Sequence, residues 1–74
     1  MEKTLREIIA RIAETTPDFA GDAHLRDELD VDSFRSAEIA FEIERVFKTK
    51  IPDDRYAQAQ TMNEILSLLT SVAA

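Results

Sequence analysis

Between Phe34 and Lys48 the apolar residues fall on two opposite faces of one helix, and a helix that buries a single face has no use for the second. At about 100° per residue, Ile39, Ala40, Ile43, Val46 and Phe47 gather with Ser36 on one side, as a core-facing stripe does. Phe34, Ala37 and Phe41 follow on the other side at i, i+3 and i+7, flanked by Glu38, Glu44, Arg45 and Lys48. This second stripe is expected to face solvent. Large aromatics are sometimes exposed singly, or pack beneath a neighbouring loop. A contiguous apolar patch with a charged rim marks a docking surface instead.

Ser33 stands where that helix opens, directly after Asp32. The first backbone N–H groups of a helix lack intrahelical acceptors and carry the positive end of its dipole. A phosphate ester on Ser33 would therefore be favoured. The plainer reading is an ordinary cap, in which Ser or Asp ahead of a helix accepts a bond from a backbone N–H.

The remaining pattern is helical too. Leu5, Ile8, Ile9 and Ile12 give a stripe at i, i+3, i+4 and i+7, so a first helix is expected over residues 2–14, ended by Thr15-Thr16-Pro17 because proline cannot continue the ladder. Residues 15–32 then form a connection long for a compact domain, with Phe19, Leu25 and Leu29 as its anchors over the core. After the two-faced helix comes a turn over residues 49–52. Pro52-Asp53-Asp54 suits the start of a short helix ending near residue 57. Thr61-Met62-Asn63-Glu64 reads as a capping box opening a last helix that buries Ile65, Leu66, Leu69 and Val72. The expectation is one all-α domain over residues 1–74, a small four-helix bundle with three long helices and one short. Its core would hold Leu5, Ile8, Ile12, Ile39, Ile43, Val46, Phe47, Ile51, Ile65 and Leu69.

Composition narrows the chemistry. The 74 residues are near the size at which one core barely suffices. With no cysteine, disulfides and thiolate metal ligands are excluded, and any reactive thiol must be prosthetic. No apolar run approaches the roughly 20 residues of a membrane span, and Met1-Glu2-Lys3 lacks a signal-peptide core, so no membrane insertion and a cytoplasmic location are expected. Nine basic against fifteen acidic residues leave a net charge of −6, which disfavours nucleic acid and favours partners with basic surfaces. Asp18, Asp22, Asp27, Glu28, Asp30 and Asp32 run up to Ser33 against Arg26 alone. Such a run is commonly just a solvated loop, but beside Ser33 it would also steer basic enzymes to the serine.

Other sites fare poorly. His24, the single histidine, lies in this acidic loop with nothing to build a catalytic triad around it. Asp53 with Asp54, and Asp30 with Asp32, lack the spacing of a calcium loop, so no metal is expected. Gly21, the one glycine, excludes a glycine-rich phosphate cradle. No catalytic residues are assigned and no enzyme is expected.

The ordered set Asp32-Ser33-Phe34, then Glu38-Ile39-Ala40-Phe41-Glu42-Ile43-Glu44-Arg45-Val46-Phe47, then Lys50-Ile51-Pro52-Asp53-Asp54 resembles the acyl carrier protein family over nearly the whole chain. The resemblance implies 4′-phosphopantetheine on Ser33, acyl groups held on its thiol as thioesters, and Asp32 helping to position the phosphopantetheinyl transferase and its coenzyme A. It implies a partner face of Phe34, Ala37, Glu38, Phe41 and Glu44 for acyl- or aminoacyl-loading and acyl-transfer enzymes. An acyl pocket lined by Phe47, Ile51, Tyr56, Ala59 and Met62 is implied as well, with Tyr56 shortening it, in a protein expected to be monomeric.

Departures from the commonest pattern point to a specialised carrier rather than a housekeeping one. Asp30 stands where many fatty-acid carriers have Gly, and Phe34 where Leu usually follows the serine. Arg45 replaces an acidic residue of the recognition helix. Phe after the serine is also similar to D-alanyl and other aminoacyl carriers, which keeps an aminoacyl cargo open beside fatty-acid, lipid or polyketide-type biosynthesis. A helical protein–protein adaptor that leaves Ser33 unmodified is the alternative from another class.

Overall fold

The computed structural model describes residues 1–73, and its helices are α1 (Glu2–Ala13), α2 (Leu25–Glu28), α3 (Ser33–Phe47), α4 (Asp53–Gln58) and α5 (Met62–Ala73). The three long helices are the expected ones, shifted by a residue at their ends. No strand forms among the described residues, and the single antiparallel bridge joins His24 to Thr61.

α1 packs on α3 and α5, and α4 packs on α5. The i, i+3, i+4 stripes meet in a core whose fully buried side chains are Leu5, Ile9, Ile39, Ile43, Met62, Ile65 and Leu69. Each contributes about 1.5–3 kcal/mol on leaving water. Two expected core residues, Ile12 and Phe47, are only half-buried against this cluster. Val46 is 37% exposed although it lies on the apolar arc of α3. Periodicity assigns a residue to a face but does not say how far along the helix that face is covered.

α1 ends before the proline is reached. Glu14 turns left-handed at φ 59°, and the Thr15 N–H bonds back to the Ala10 carbonyl at 2.9 Å, closing the helix in a Schellman pattern. Lys48 does the same for α3 at φ 53°, with the Thr49 N–H on the Glu44 carbonyl at 3.3 Å. Neither position is a glycine, so each helix end carries a modest backbone cost.

The long connection is less bare than expected, because Leu25–Glu28 forms one helical turn. His24 caps it: its Nδ1 accepts the Asp27 N–H at 3.3 Å, while a Glu28 carboxylate oxygen accepts the His24 N–H at 2.7 Å. This is a variant of the capping box, with histidine in the usual place of Ser or Thr and the returning carboxylate one residue later than usual. Leu25, Ala23 and Val31 are buried, and Phe19 and Leu29 pack against the core. The Arg6 guanidinium lies 5.0 Å from the Phe19 ring centroid and donates to the carbonyls of Pro17 and Phe19, fastening this segment to α1.

At the start of α5 the expected capping box is shifted by one residue. Thr61 Oγ1 accepts the Glu64 N–H at 3.2 Å, but Glu64 Oε1 accepts the Gln60 N–H, at 2.8 Å, rather than that of Thr61.

Candidate functional site

Everything singled out around Ser33 depends on how α3 begins. Asp30 adopts φ 60°, in the left-handed region that Asp tolerates better than most non-glycine residues. The Val31 N–H bonds to the Leu25 carbonyl at 3.0 Å, and the Val31 side chain is buried. These two residues turn the chain out of α2 and plug it into the core immediately before the site. Asp32 is then the N-cap, in extended conformation, with Oδ1 accepting the Arg35 N–H at 2.8 Å. Ser33 is the first helical residue and is exposed. The capping role that offered a plain explanation for Ser33 is performed by its neighbour.

The C-terminal end of α1 lies beside this helix start, where Arg35 bonds to Glu14 at 3.2 Å. Farther along, Arg11 of α1 and Arg45 of α3 share the Glu42 carboxylate, at 3.0 and 2.7 Å. Those guanidiniums, Arg45 foremost through its hydrogen bonds, hold the Glu42 carboxyl at about 2 against an ordinary 4.5. Arg11 therefore fastens α1 to α3 through Glu42, and Arg45 holds that carboxylate from within α3. Arg45 also borders a surface hollow with Phe41, at the end of the stripe.

That stripe is open to solvent. Phe34 is 74% and Phe41 69% exposed, with Ala37 and Glu38 exposed between them. Glu44, expected on the same face, is half-buried, and its Oε2 accepts the Ile51 N–H at 2.8 Å, tying the end of α3 to the following turn.

From Ser33 a groove of about 560 Å³ runs between α3 and α4. Its α3 wall is made of Ser33, Ser36, Ala37 and Ala40, small side chains at i, i+3, i+4 and i+7, with Phe41 and Glu44 beyond them. Ala57 and Ala59 face them from α4 and its exit. Tyr56 crosses between the two walls. Its hydroxyl donates to the Ser36 carbonyl at 2.7 Å, and Ser36 Oγ approaches the same hydroxyl at 3.4 Å. Burial pushes the phenol above its ordinary pKa, the hydrogen bond with Ser36 pulling the other way, so the hydroxyl keeps its proton and remains a donor at neutral pH.

Of the five residues expected to line an acyl pocket, Tyr56 and Ala59 border this groove. Ile51 and Met62 lie in the packed core, and Phe47 packs against it. His24, expected as a loop residue without a site, Ser36 and Ala40, expected on the core-facing stripe, and Gln60, which sequence reasoning passed over, also border the groove. The small-residue stripe starting at Ser33 was the available signal for two of them. At the mouth, Nε2 of His24 donates to Gln60 Oε1 at 2.8 Å, since Nδ1 is taken as an acceptor, and the Leu25 N–H donates to the Gln60 carbonyl at 2.9 Å.

Residues 3–69 match the family described as the phosphopantetheine attachment site. An acyl carrier protein of Rhodococcus erythropolis is 29% identical over 82 residues, covering all of this chain and 90% of its own length. The meromycolate extension acyl carrier proteins of Mycobacterium leprae and Mycobacterium tuberculosis are 32% identical over 77 residues, covering 93% of this chain and 67% of theirs. A solved Mycobacterium tuberculosis structure, provisionally described as an acyl carrier protein, superposes with a TM-score of 0.89 at 21% identity over 95% of both chains, a likeness of fold. The group carried by this family is 4′-phosphopantetheine. With the matched family spanning nearly all of its length, the chain belongs to the acyl carrier proteins.

Proposed function

We propose that Ser33 is the attachment point of 4′-phosphopantetheine and that the chain is a non-catalytic carrier in lipid-type biosynthesis. The observation that carries this reading is the division of labour at the start of α3. Asp32 supplies the cap, which leaves the exposed Ser33 hydroxyl free for a covalent bond. The amides of the first turn and the positive end of the helix dipole favour the phosphodiester anion that results. Once attached, the group supplies a thiol on a flexible arm, which holds acyl groups as thioesters.

The chain's own residues then orient and present. Phe34, Ala37 and Phe41 offer apolar anchors next to Ser33, with Glu38 and Glu44 on their rim. Asp27, Glu28, Asp30 and Asp32 lie on the approach to the serine, so a phosphopantetheinyl transferase and acyl-transfer enzymes with basic docking surfaces are steered toward it. Asp32 is free to serve the transferase through the oxygen that does not cap. A carrier that visits enzymes in turn is suited to a monomeric, cytoplasmic life, and no described helix is long and apolar enough to cross a membrane.

The test is intact-protein mass before and after incubation with coenzyme A and a broad-specificity phosphopantetheinyl transferase, with Ser33→Ala as control. A gain of one phosphopantetheine in the wild type alone is expected. A gain that persists in Ser33→Ala overturns the residue assignment. No gain, either with this enzyme or with transferases from the source organism, favours an unmodified adaptor.

A further inference from the structure

The groove beside Ser33 touches the core at Leu25 and Val31 and goes no deeper. Small side chains on α3 and α4 leave the space, and Tyr56 reaches across from α4 to α3, bonded to the Ser36 carbonyl one turn along α3 from Ser33. Behind it the packing is closed: Ile39, Ile43, Met62 and Ile65 are each 0% exposed. What remains is a mostly apolar groove, with Leu25, Val31, Ala40 and Phe41 in its lining and the polar side chains of Ser36, Tyr56, Glu44 and Gln60 among them.

A long saturated chain gains by entering a space only where it exchanges water for apolar contact. Here that contact is confined to the groove itself. To go deeper it would have to break the Tyr56–Ser36 bond and leave a helical carbonyl and a phenol without each other. A short group faces no such cost, because it has no need to go deeper.

We infer that Tyr56 is the specificity-determining residue of this carrier, a bar between α3 and α4 that keeps long acyl chains out of the interior and suits the protein to short cargo. The inference rests on the assignment of Ser33 as the loading point. Tyr56 acts by position, taking no part in the thioester chemistry.

The experiment loads Ser33 from acetyl- and octanoyl-coenzyme A with a transferase, verifies each product by intact mass, and compares backbone amide shifts and melting temperatures. In the wild type, the amides of Ile39, Ile43, Met62 and Ile65 are expected at the same shifts in the acetyl and octanoyl forms, with equal melting temperatures. In Tyr56→Ala the octanoyl form is expected to move those amides and to melt about 4 °C or more above the acetyl form, as a ligand held by the folded state does. Core amides that move with octanoyl in the wild type overturn the bar. So does a folded Tyr56→Ala protein in which octanoyl moves nothing. Should Tyr56→Ala fail to fold, Tyr56→Val takes its place, and the wild-type comparison decides by itself. Failure to load at all is a different result, read by mass, and it overturns the carrier assignment instead.

Discussion

Asp32 Oδ1 and the Arg35 backbone N–H lie 2.8 Å apart, so the acidic residue before Ser33 has a structural duty that is separable from its charge. Asp32→Ala is expected to cost about 1 kcal/mol of stability through loss of the cap. Asp32→Asn keeps an oxygen in place and should melt close to the wild type. If the carboxylate also serves the transferase, Asp32→Asn loads Ser33 about tenfold or more slowly, the scale of one lost charge-assisted contact. Melting curves beside mass-resolved loading rates separate the two effects.

Phe41 is 69% exposed, so its removal should leave the fold nearly untouched. Phe41→Ser is expected to change stability by no more than about 0.5 kcal/mol. Turnover by an acyl-transfer partner should fall about tenfold or more if Phe41 anchors the docked complex. A large drop in melting temperature would assign the ring a structural part that its exposure does not suggest.

The Glu42 carboxylate, shared by Arg11 and Arg45, gives a pH signature. Its folded pKa of about 2 lies below the ordinary 4.5, so its contribution is complete above pH 4.5 and is lost as the pH falls toward 2. Glu42→Gln should therefore be slightly less stable than the wild type at neutral pH. The gap should narrow below pH 4.5 and vanish near 2. The pair stands in solvent, so the effect is small and weakens with salt. Thermal melts of both proteins across this range are the check.

Truncation of the core distinguishes covered from uncovered positions on one arc of α3. Ile43 is 0% exposed and Val46 37%. Ile43→Ala is expected to cost about 2–5 kcal/mol, enough to threaten a domain whose whole stability is about 5–15 kcal/mol. Val46→Ala should cost less than about 1 kcal/mol. Denaturant midpoints of the two variants give the comparison.

The helices that were legible are those long enough to show a period. Leu5, Ile8 and Ile9, or Ile39 and Ile43, repeat across turns, and Phe34 and Phe41 declare a second face by the same rule. Leu25–Glu28 completes a single turn, too short for any periodicity, and its cap is a histidine rather than the usual Ser, Thr, Asp or Asn. The shape of the groove was hidden for a different reason. Tyr56 meets Ser36 across 20 residues of sequence and His24 meets Gln60 across 36, pairings that no local pattern encodes. Met62 offers the converse lesson. Its place in the capping-box motif put it at the opening of a helix, near the imagined pocket, while its side chain turned inward to full burial. Sequence located Ser33 and the stripe beside it because both are written within one helix.

The bond between His24 and Gln60, with the Leu25 amide on the same residue's carbonyl, joins the two connections that flank the groove. Neither connection is then a separate flap. A force applied to the α4 side would carry the α2 side with it, so the mouth of the groove would change its width as one jaw.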